Sequence, residues 1–403
     1  MNCDKRANSM DGRFDTGLDA PARARALIPL LENAAERIEA AHEMPADVLD
    51  ALHDARMFRL LLPQSLGGDE LDLATHAATL EALAEGDASA AWVVSQGAGC
   101  AMGAAYLDEA AASKWFASDR AALAWGAGIQ GKAIRAPGGF RVTGKWTFGS
   151  GSRHATLLGG HSFVFEADGV TPVKRPDGSR LDRTALFARD QAQIDDVWDV
   201  LGLAGTGSDT FAVEDLFVAE ADTIDRESPA ERQTEGPLYK VPATVVYGLG
   251  FAALQLGIAR AMLRHLKHLA MTKTPRGVTV SLRENPVFHA DYARLEARLR
   301  SARAYLMEAA RNCQRAAETP GELALEARAD LKLASVHVIH SALDVTTDAY
   351  RAAGSTAIFN SGPYARRLRD ALTASQQTQA RAENFVTLGR MMMGLDPEST
   401  MFL

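Results

Sequence analysis

Residues 144–155 read GKWTFGSGSRHA, and residues 202–210 read GLAGTGSDT. Each stretch sets small and hydroxyl-bearing residues on a turn next to a strand-like run. Glycine lets the backbone approach a ligand closely and accept positive φ, and the turn exposes N–H groups and Ser/Thr hydroxyls. The two segments lie about sixty residues apart in one glycine-rich island. Together they read as two edges of one slot for a planar, hydrogen-bonding ligand.

Around that island the chain is helical. From Pro21 to about Lys114 apolar residues recur at three- and four-residue spacing, as in Leu27–Leu30–Leu31–Ala34 and Leu80–Leu83–Ala84, with a break at Pro63–Gly68. From about Leu123 to Val218 the pattern alternates, with turn signals at Pro137-Gly138-Gly139 and Pro176-Asp177-Gly178. Ala219–Lys240 reads as a polar linker. The helical period returns in Val245–Met271, Pro286–Ala317 and Glu322–Ala353, with a last helix at Tyr364–Met393. The expected fold class is α+β, mainly α. It comprises a disordered N-terminus (1–20), an α-helical domain (21–121), a central antiparallel, barrel-like β domain (122–235) and a four-helix bundle (236–403). Long amphipathic helices with apolar surface to spare imply a homo-oligomer, expected to be a tetramer.

Composition narrows the function. A length of 403 residues, 47% apolar content and a net charge of −8 describe a globular chain without the concentrated basic face of a nucleic-acid binder. No apolar run reads as long enough to span a bilayer, and the first fifteen residues lack the apolar stretch expected of a signal peptide. Cys3, Cys100 and Cys313 are too few and too scattered for a disulfide framework or a cysteine-based zinc site, which fits a reducing cytoplasm.

The order helix, β domain, helix bundle, with WTFGSG at Trp146–Gly151 and the late pair Arg369-Asp370, resembles the acyl-CoA dehydrogenase superfamily from Pro21 onward. Ser89-Ala90-Ala91-Trp92, Gly144–Ala155 and Gly205-Thr206-Gly207-Ser208 are most similar to its flavin-dependent monooxygenases. These take reduced flavin, FADH2 or FMNH2, from a separate NAD(P)H-dependent reductase. The resemblance implies that Trp146, Thr147, Ser150, Gly205, Thr206 and Ser208 flank the isoalloxazine ring. It also implies that Arg276 and Arg283 reach flavin phosphate, often that of a neighbouring subunit, and that Arg369 either contacts the flavin or makes a structural salt bridge.

Dehydrogenation needs a carboxylate base. In most of the superfamily that glutamate lies about nine residues before the Arg-Asp pair, which here is Ser361; a minority place it at the position of Tyr247. Neither side chain is a base at neutral pH. Hydroxylases of the branch commonly carry a histidine eight residues after the arginine, where this chain has Gln377, and a second at Cys100. Glutamine hydrogen-bonds but takes no proton. The substrate is therefore expected to be an electron-rich aromatic or heteroaromatic of indole type that needs no deprotonation. The resemblance implies oxygen transfer from a C4a-hydroperoxide formed with O2, with Ser150, His154 and Gln377 as catalytic candidates. Trp92, Gln96, Cys100 and Gln376 are expected to line the substrate side. An acyl-CoA dehydrogenase or oxidase and a non-catalytic paralogue are the alternatives. His337 and His340, three apart on an apolar helix without a carboxylate or cysteine at motif spacing, are not read as metal ligands.

Overall fold

The computed structural model describes residues 19–226 and 228–397. The expectation for the N-terminus falls almost entirely outside them, since Ala20 already opens the first helix. Five helices come first: α1 (Ala20–Ala41), α2 (Ala46–Asp54), α3 (Leu73–Gly86), α4 (Ala88–Ala101) and α5 (Glu109–Phe116). Asp19 starts α1 by accepting the Ala22 N–H at 2.7 Å. Asp87 ends α3 and starts α4, its buried carboxylate accepting from Ala90 N at 2.9 Å. Helix α4 is mostly Ala, Gly and Ser, so its neighbours approach closely. Only Trp92 and Gln96 along it are not fully buried. Those two lie one turn apart and define the face that opens toward the β domain.

Eight strands follow: β1 (Leu123–Trp125), β2 (Gly131–Ala136), β3 (Gly139–Gly149), β4 (Leu157–Phe165), β5 (Asp182–Ala188), β6 (Gln193–Asp195), β7 (Asp209–Ala219) and β8 (Thr223–Ile224). They form one sheet in the order β6-β7-β3-β2-β4-β5-β8, with β1 also on β4. The expected antiparallel domain is in fact mixed, because β4 runs parallel to both β1 and β2. β3 reverses the direction of β2 and ends with β7 on its other edge. The returning chain therefore pairs on the free edge of β2, in the direction of β2. Trp146, Phe187 and Phe211 pack together at the centre of the sheet's core.

The stretch read as a linker is packed instead. It carries β8, buries Leu238 and Tyr239, and ties Tyr239 Oη to the Leu61 carbonyl at 3.2 Å. The helices α6 (Ala243–Ala270), α7 (Pro286–Glu318) and α8 (Leu325–Ala353) then form the bundle, with α6 packed against α3, α4, α7, α8 and α9 (Pro363–Ala374). By length and composition α6 does reach the range of a membrane span, contrary to the sequence reading, yet 94% of that stretch is buried inside the protein. The single last helix expected over Tyr364–Met393 is two helices, α9 and α10 (Glu383–Met392). Between them Gln377 Oε1 accepts the Gln379 N–H at 2.6 Å and caps a short turn, an alternative that polar residues offer the backbone.

Candidate active site

The two glycine–hydroxyl turns meet, and a chain of hydrogen bonds joins them to α4. Trp92 Nε1 donates to Ser150 Oγ at 3.0 Å. Ser150 Oγ lies 2.7 Å from Ser208 Oγ, which lies 2.8 Å from Thr206 Oγ1. Thr206 in turn donates to the Leu203 carbonyl at 2.8 Å. The two ends fix the direction of every proton. An indole N–H can only donate and a carbonyl can only accept. Thr206 uses its one proton on Leu203, so Ser208 must donate to Thr206 and Ser150 to Ser208. All three hydroxyl protons are thereby engaged, and Ser150 presents an unused lone pair. The chain lies in buried surroundings, with Thr206 fully enclosed and Ser150 only 8% exposed.

Two close approaches hold the second turn. A Cβ on Gly205 would sit 2.1 Å from Ile38 Cγ2 and 3.1 Å from Ser89 Cβ, so only glycine lets this turn seat against α1 and α4. A Cβ on Gly202 would meet the Arg369 carbonyl at 2.3 Å. Arg369 and Asp370 do not pair with each other here. The Arg369 guanidinium donates to the Leu201 carbonyl at 3.1 Å and bonds Glu39, while Asp370 accepts the Leu203 N–H at 2.7 Å. They clamp the backbone that carries Thr206 and Ser208. Burial, reinforced by Asp87, raises the Asp370 carboxyl to about 7. Phe148 and Leu203 both take left-handed backbone beside the turns, at φ 58 and 56.

A run of stacked rings leads away from Ser150. Trp92 stacks on Phe251 at 4.3 Å between centroids, and Phe251 on Tyr247 at 6.3 Å. Tyr247 Oη lies 3.4 Å from Cys100 Sγ, and its ring rests against α4 at Gly99. Burial pushes the Cys100 thiol up to about 12 and the Tyr247 phenol well above its ordinary value, so neither ionises near neutrality. Ser361 is exposed in the turn before α9, and the ladder offers no carboxylate at Tyr247.

Comparison with known proteins accords with this geometry. Residues 25–118 match the family model for the acyl-CoA dehydrogenase N-terminal domain, and residues 249–381 that for the C-terminal domain. The chain is 30% identical to indole-3-acetate monooxygenase of Pseudomonas putida over 387 residues, covering 94% of this chain and 97% of that protein. The chain belongs to the acyl-CoA dehydrogenase family. It is 28% identical over 87% of its length to HsaA of Rhodococcus jostii, named as the oxygenase subunit of a flavin-dependent monooxygenase, and covers 91% of that protein. Among solved structures, the 3-HSA hydroxylase from Rhodococcus sp. RHA1 superposes with a TM-score of 0.85, at 24% identity over 97% of this chain and 100% of that one. The dibenzothiophene monooxygenase TdsC from Paenibacillus sp. A11-2, solved with FMN and indole, superposes at 0.80, with 21% identity over 94% and 98%. These two likenesses concern the fold. Within the family the chain falls in the branch of flavin-dependent monooxygenase oxygenase components.

Of the residues singled out from sequence, the fold joins Trp92, Ser150, Thr206 and Ser208 directly, and brings Cys100 to the ring ladder. Others are placed differently. The Trp146 ring is fully enclosed in the sheet core, where its N–H donates to the His161 carbonyl at 2.8 Å, so only its backbone can border the turn. Thr147 Oγ1 bonds Gln130 Oε1 at 3.2 Å. His154 Nε2 accepts the Met44 N–H at 2.8 Å, and burial holds the ring at about 4. It ties the β domain to the segment before α2. Arg276 is exposed on the α6–α7 loop. Gln376 is exposed, and its side-chain amide donates to Ser375 Oγ at 3.3 Å. Gln377 is half-buried, its Nε2 is enclosed without a partner, and its turn packs on α6 at Gly248 through Gln379. Sequence reasoning missed Phe251 and the stacking role of Tyr247. Their i, i+4 spacing on an apolar helix could have paired them, but it reads equally as core.

Proposed function

We propose that this chain is the oxygenase component of a two-component monooxygenase that uses reduced flavin and O2 to oxygenate a small aromatic or heteroaromatic substrate of indole type. The observation that carries the reading is the proton-ordered chain ending in a Ser150 lone pair beside a ladder of stacked rings. That donor set fits a flavin. Reduced flavin carries N–H donors at the ring edge where the oxidised form has an acceptor, and Ser150 offers an acceptor. The unpartnered Gln377 Nε2 supplies a donor for a buried oxygen of cofactor or substrate.

When bound, reduced flavin supplies the two electrons with which O2 is split, one oxygen atom entering the substrate and the other leaving as water. The protein's part is positioning and exclusion of water. Ser150, its proton held by Ser208 and Thr206, would hold the flavin edge. Arg369 and Asp370, acting through the Leu201–Leu203 backbone, are positioning residues. Trp92, Phe251 and Tyr247 would stack the substrate, with Gln96 on the same face of α4. No carboxylate base stands at either position a dehydrogenase uses, which argues against the acyl-CoA dehydrogenase alternative. The intact chain argues against a non-catalytic paralogue.

A separate NAD(P)H-dependent reductase supplies the reduced flavin, FADH2 or FMNH2. We read the protein as a homotetramer of the cytoplasm. Ile358, Phe359, Val386 and Met393, all exposed on the bundle, are apolar surface suited to a second copy. Turnover of an indole with a flavin reductase under oxygen-18 gas tests the function. One labelled atom in the product supports it, and flavin reoxidation with every candidate aromatic unchanged refutes it.

A further inference from the structure

At the far end of the ring ladder from Ser150 lies a small pocket of about 280 Å³, closed by the segment between β8 and α6. Its floor is aromatic, with Trp125, Tyr106 and Tyr239. Its described lining carries four cations, Arg226, Arg232, Lys240 and Arg328, against the single carboxylate of Glu322. Arg232 faces Glu322 at 3.2 Å, and Lys240 donates to the Thr319 carbonyl at 2.8 Å. Arg226 turns inward, its guanidinium lying 4.8 Å from the centre of the Trp125 ring. The charge of Arg226 is felt at Tyr247, Cys100 and His161.

The pocket touches the end of α4. Gly99 borders it, seven residues from Trp92, or about 10 Å at 1.5 Å per residue. That is the span of a bicyclic aromatic with a short arm. A planar ring lying along the Trp92–Gln96 face of α4, beside the ring ladder, would thus deliver its substituent to a cationic end. A guanidinium over an aromatic floor suits a carboxylate, which it can take through two parallel N–H bonds.

We propose that Arg226 is the substrate's anion anchor, so that the enzyme selects aromatic acids, compounds carrying a carboxylate on a short arm, over their neutral counterparts. This rests on the aromatic monooxygenase reading but is tested without turnover. The pocket is too small for a nucleotide, and the flavin turns lie at the other end of the ladder. The anion is therefore assigned to the substrate and not to flavin phosphate.

The test is anaerobic titration of the full-length protein with indole-3-acetate, phenylacetate, their neutral amides and indole, followed by tryptophan fluorescence and calorimetry. The wild-type protein should bind at least one acid roughly 10- to 100-fold more tightly than its amide, the range of a charge-assisted hydrogen bond. Arg226→Gln should erase that preference while moving the affinity for indole less than threefold, and Arg226→Lys should restore most of it. Amides binding as well as acids, or an acid preference that survives Arg226→Gln, would overturn the assignment. So would a loss in Arg226→Gln that falls on FMN relative to riboflavin. Absence of oxygenation with the acid preference intact would instead count against the oxygenase reading alone.

Discussion

The proton order of the Trp92–Ser150–Ser208–Thr206 chain makes Ser208 the residue that decides what Ser150 can offer. In the wild-type protein Ser150 gives its proton to Ser208 and keeps a lone pair for the flavin edge. Replacing Ser208 with alanine removes the acceptor, and the Ser150 proton becomes free to turn outward. Oxidised flavin, which presents an acceptor, then finds a donor. A mismatched buried hydrogen bond costs about 1–3 kcal/mol, and 1.4 kcal/mol is tenfold in affinity. The ratio of reduced to oxidised flavin affinity should therefore fall by about tenfold or more in Ser208→Ala. The same change should cost about 1–2 kcal/mol of stability, since the lost bonds lie in a dry interior. Trp92→Phe removes only the leading donor and should leave the redox preference within a factor of about three, because Ser150 still points its proton at Ser208. Anaerobic titrations with FMN and FAD in both redox states, together with urea melts, give these quantities. A Ser208→Ala protein with an unchanged redox preference and full flavin affinity would refute the proton-order argument.

Three further outcomes follow from the geometry. Asp370 is raised to about 7 in the folded protein against 3.8 as its ordinary value, so the folded state holds a proton that the unfolded state has lost between about pH 4 and 7. Its burial therefore costs stability increasingly as pH rises through that window, and Asp370→Asn, still able to accept the Leu203 N–H, should gain a few kcal/mol at most at pH 8 and almost nothing at pH 4; melts across pH check the sign. Gly205→Ala forces a methyl into Ile38 and should cost about 1–3 kcal/mol while weakening flavin binding, measured by urea melts and titration. Cys100, enclosed with its thiol pushed up to about 12, should resist iodoacetamide at pH 8 until the protein unfolds, which mass spectrometry of alkylated peptides reads directly.

The domain order and the two turns were legible from sequence because they rest on periodicity and on glycine–hydroxyl clusters, both local signals. Strand direction was not. β4 runs parallel to β2 because β7 already occupies the far edge of β3, a fact about a strand some fifty residues later. The break between α9 and α10 is held by side chains, Gln377 capping its own turn and Asn384 donating to the Thr378, Gln379 and Arg381 carbonyls, which the helical spacing of apolar residues cannot reveal. Site residues divided in the same way. Ser150 and Ser208 announced themselves by their turns, whereas the inward turn of Trp146 and the tethering of His154 to Met44 depend on elements distant in the chain. Arg226 lay in a stretch that composition marks as a linker, and only the folded chain sets it over Trp125.

The central claim, that the two turns serve oxygen transfer and not dehydrogenation, is tested most directly by rapid mixing. Anaerobic protein loaded with reduced flavin is mixed with buffered O2 and followed by absorbance. The account predicts a transient near-ultraviolet band that precedes the spectrum of oxidised flavin and decays faster when an oxygenatable aromatic is present. Immediate appearance of oxidised flavin with and without substrate, together with bleaching of bound oxidised flavin by an acyl-CoA, would contradict it.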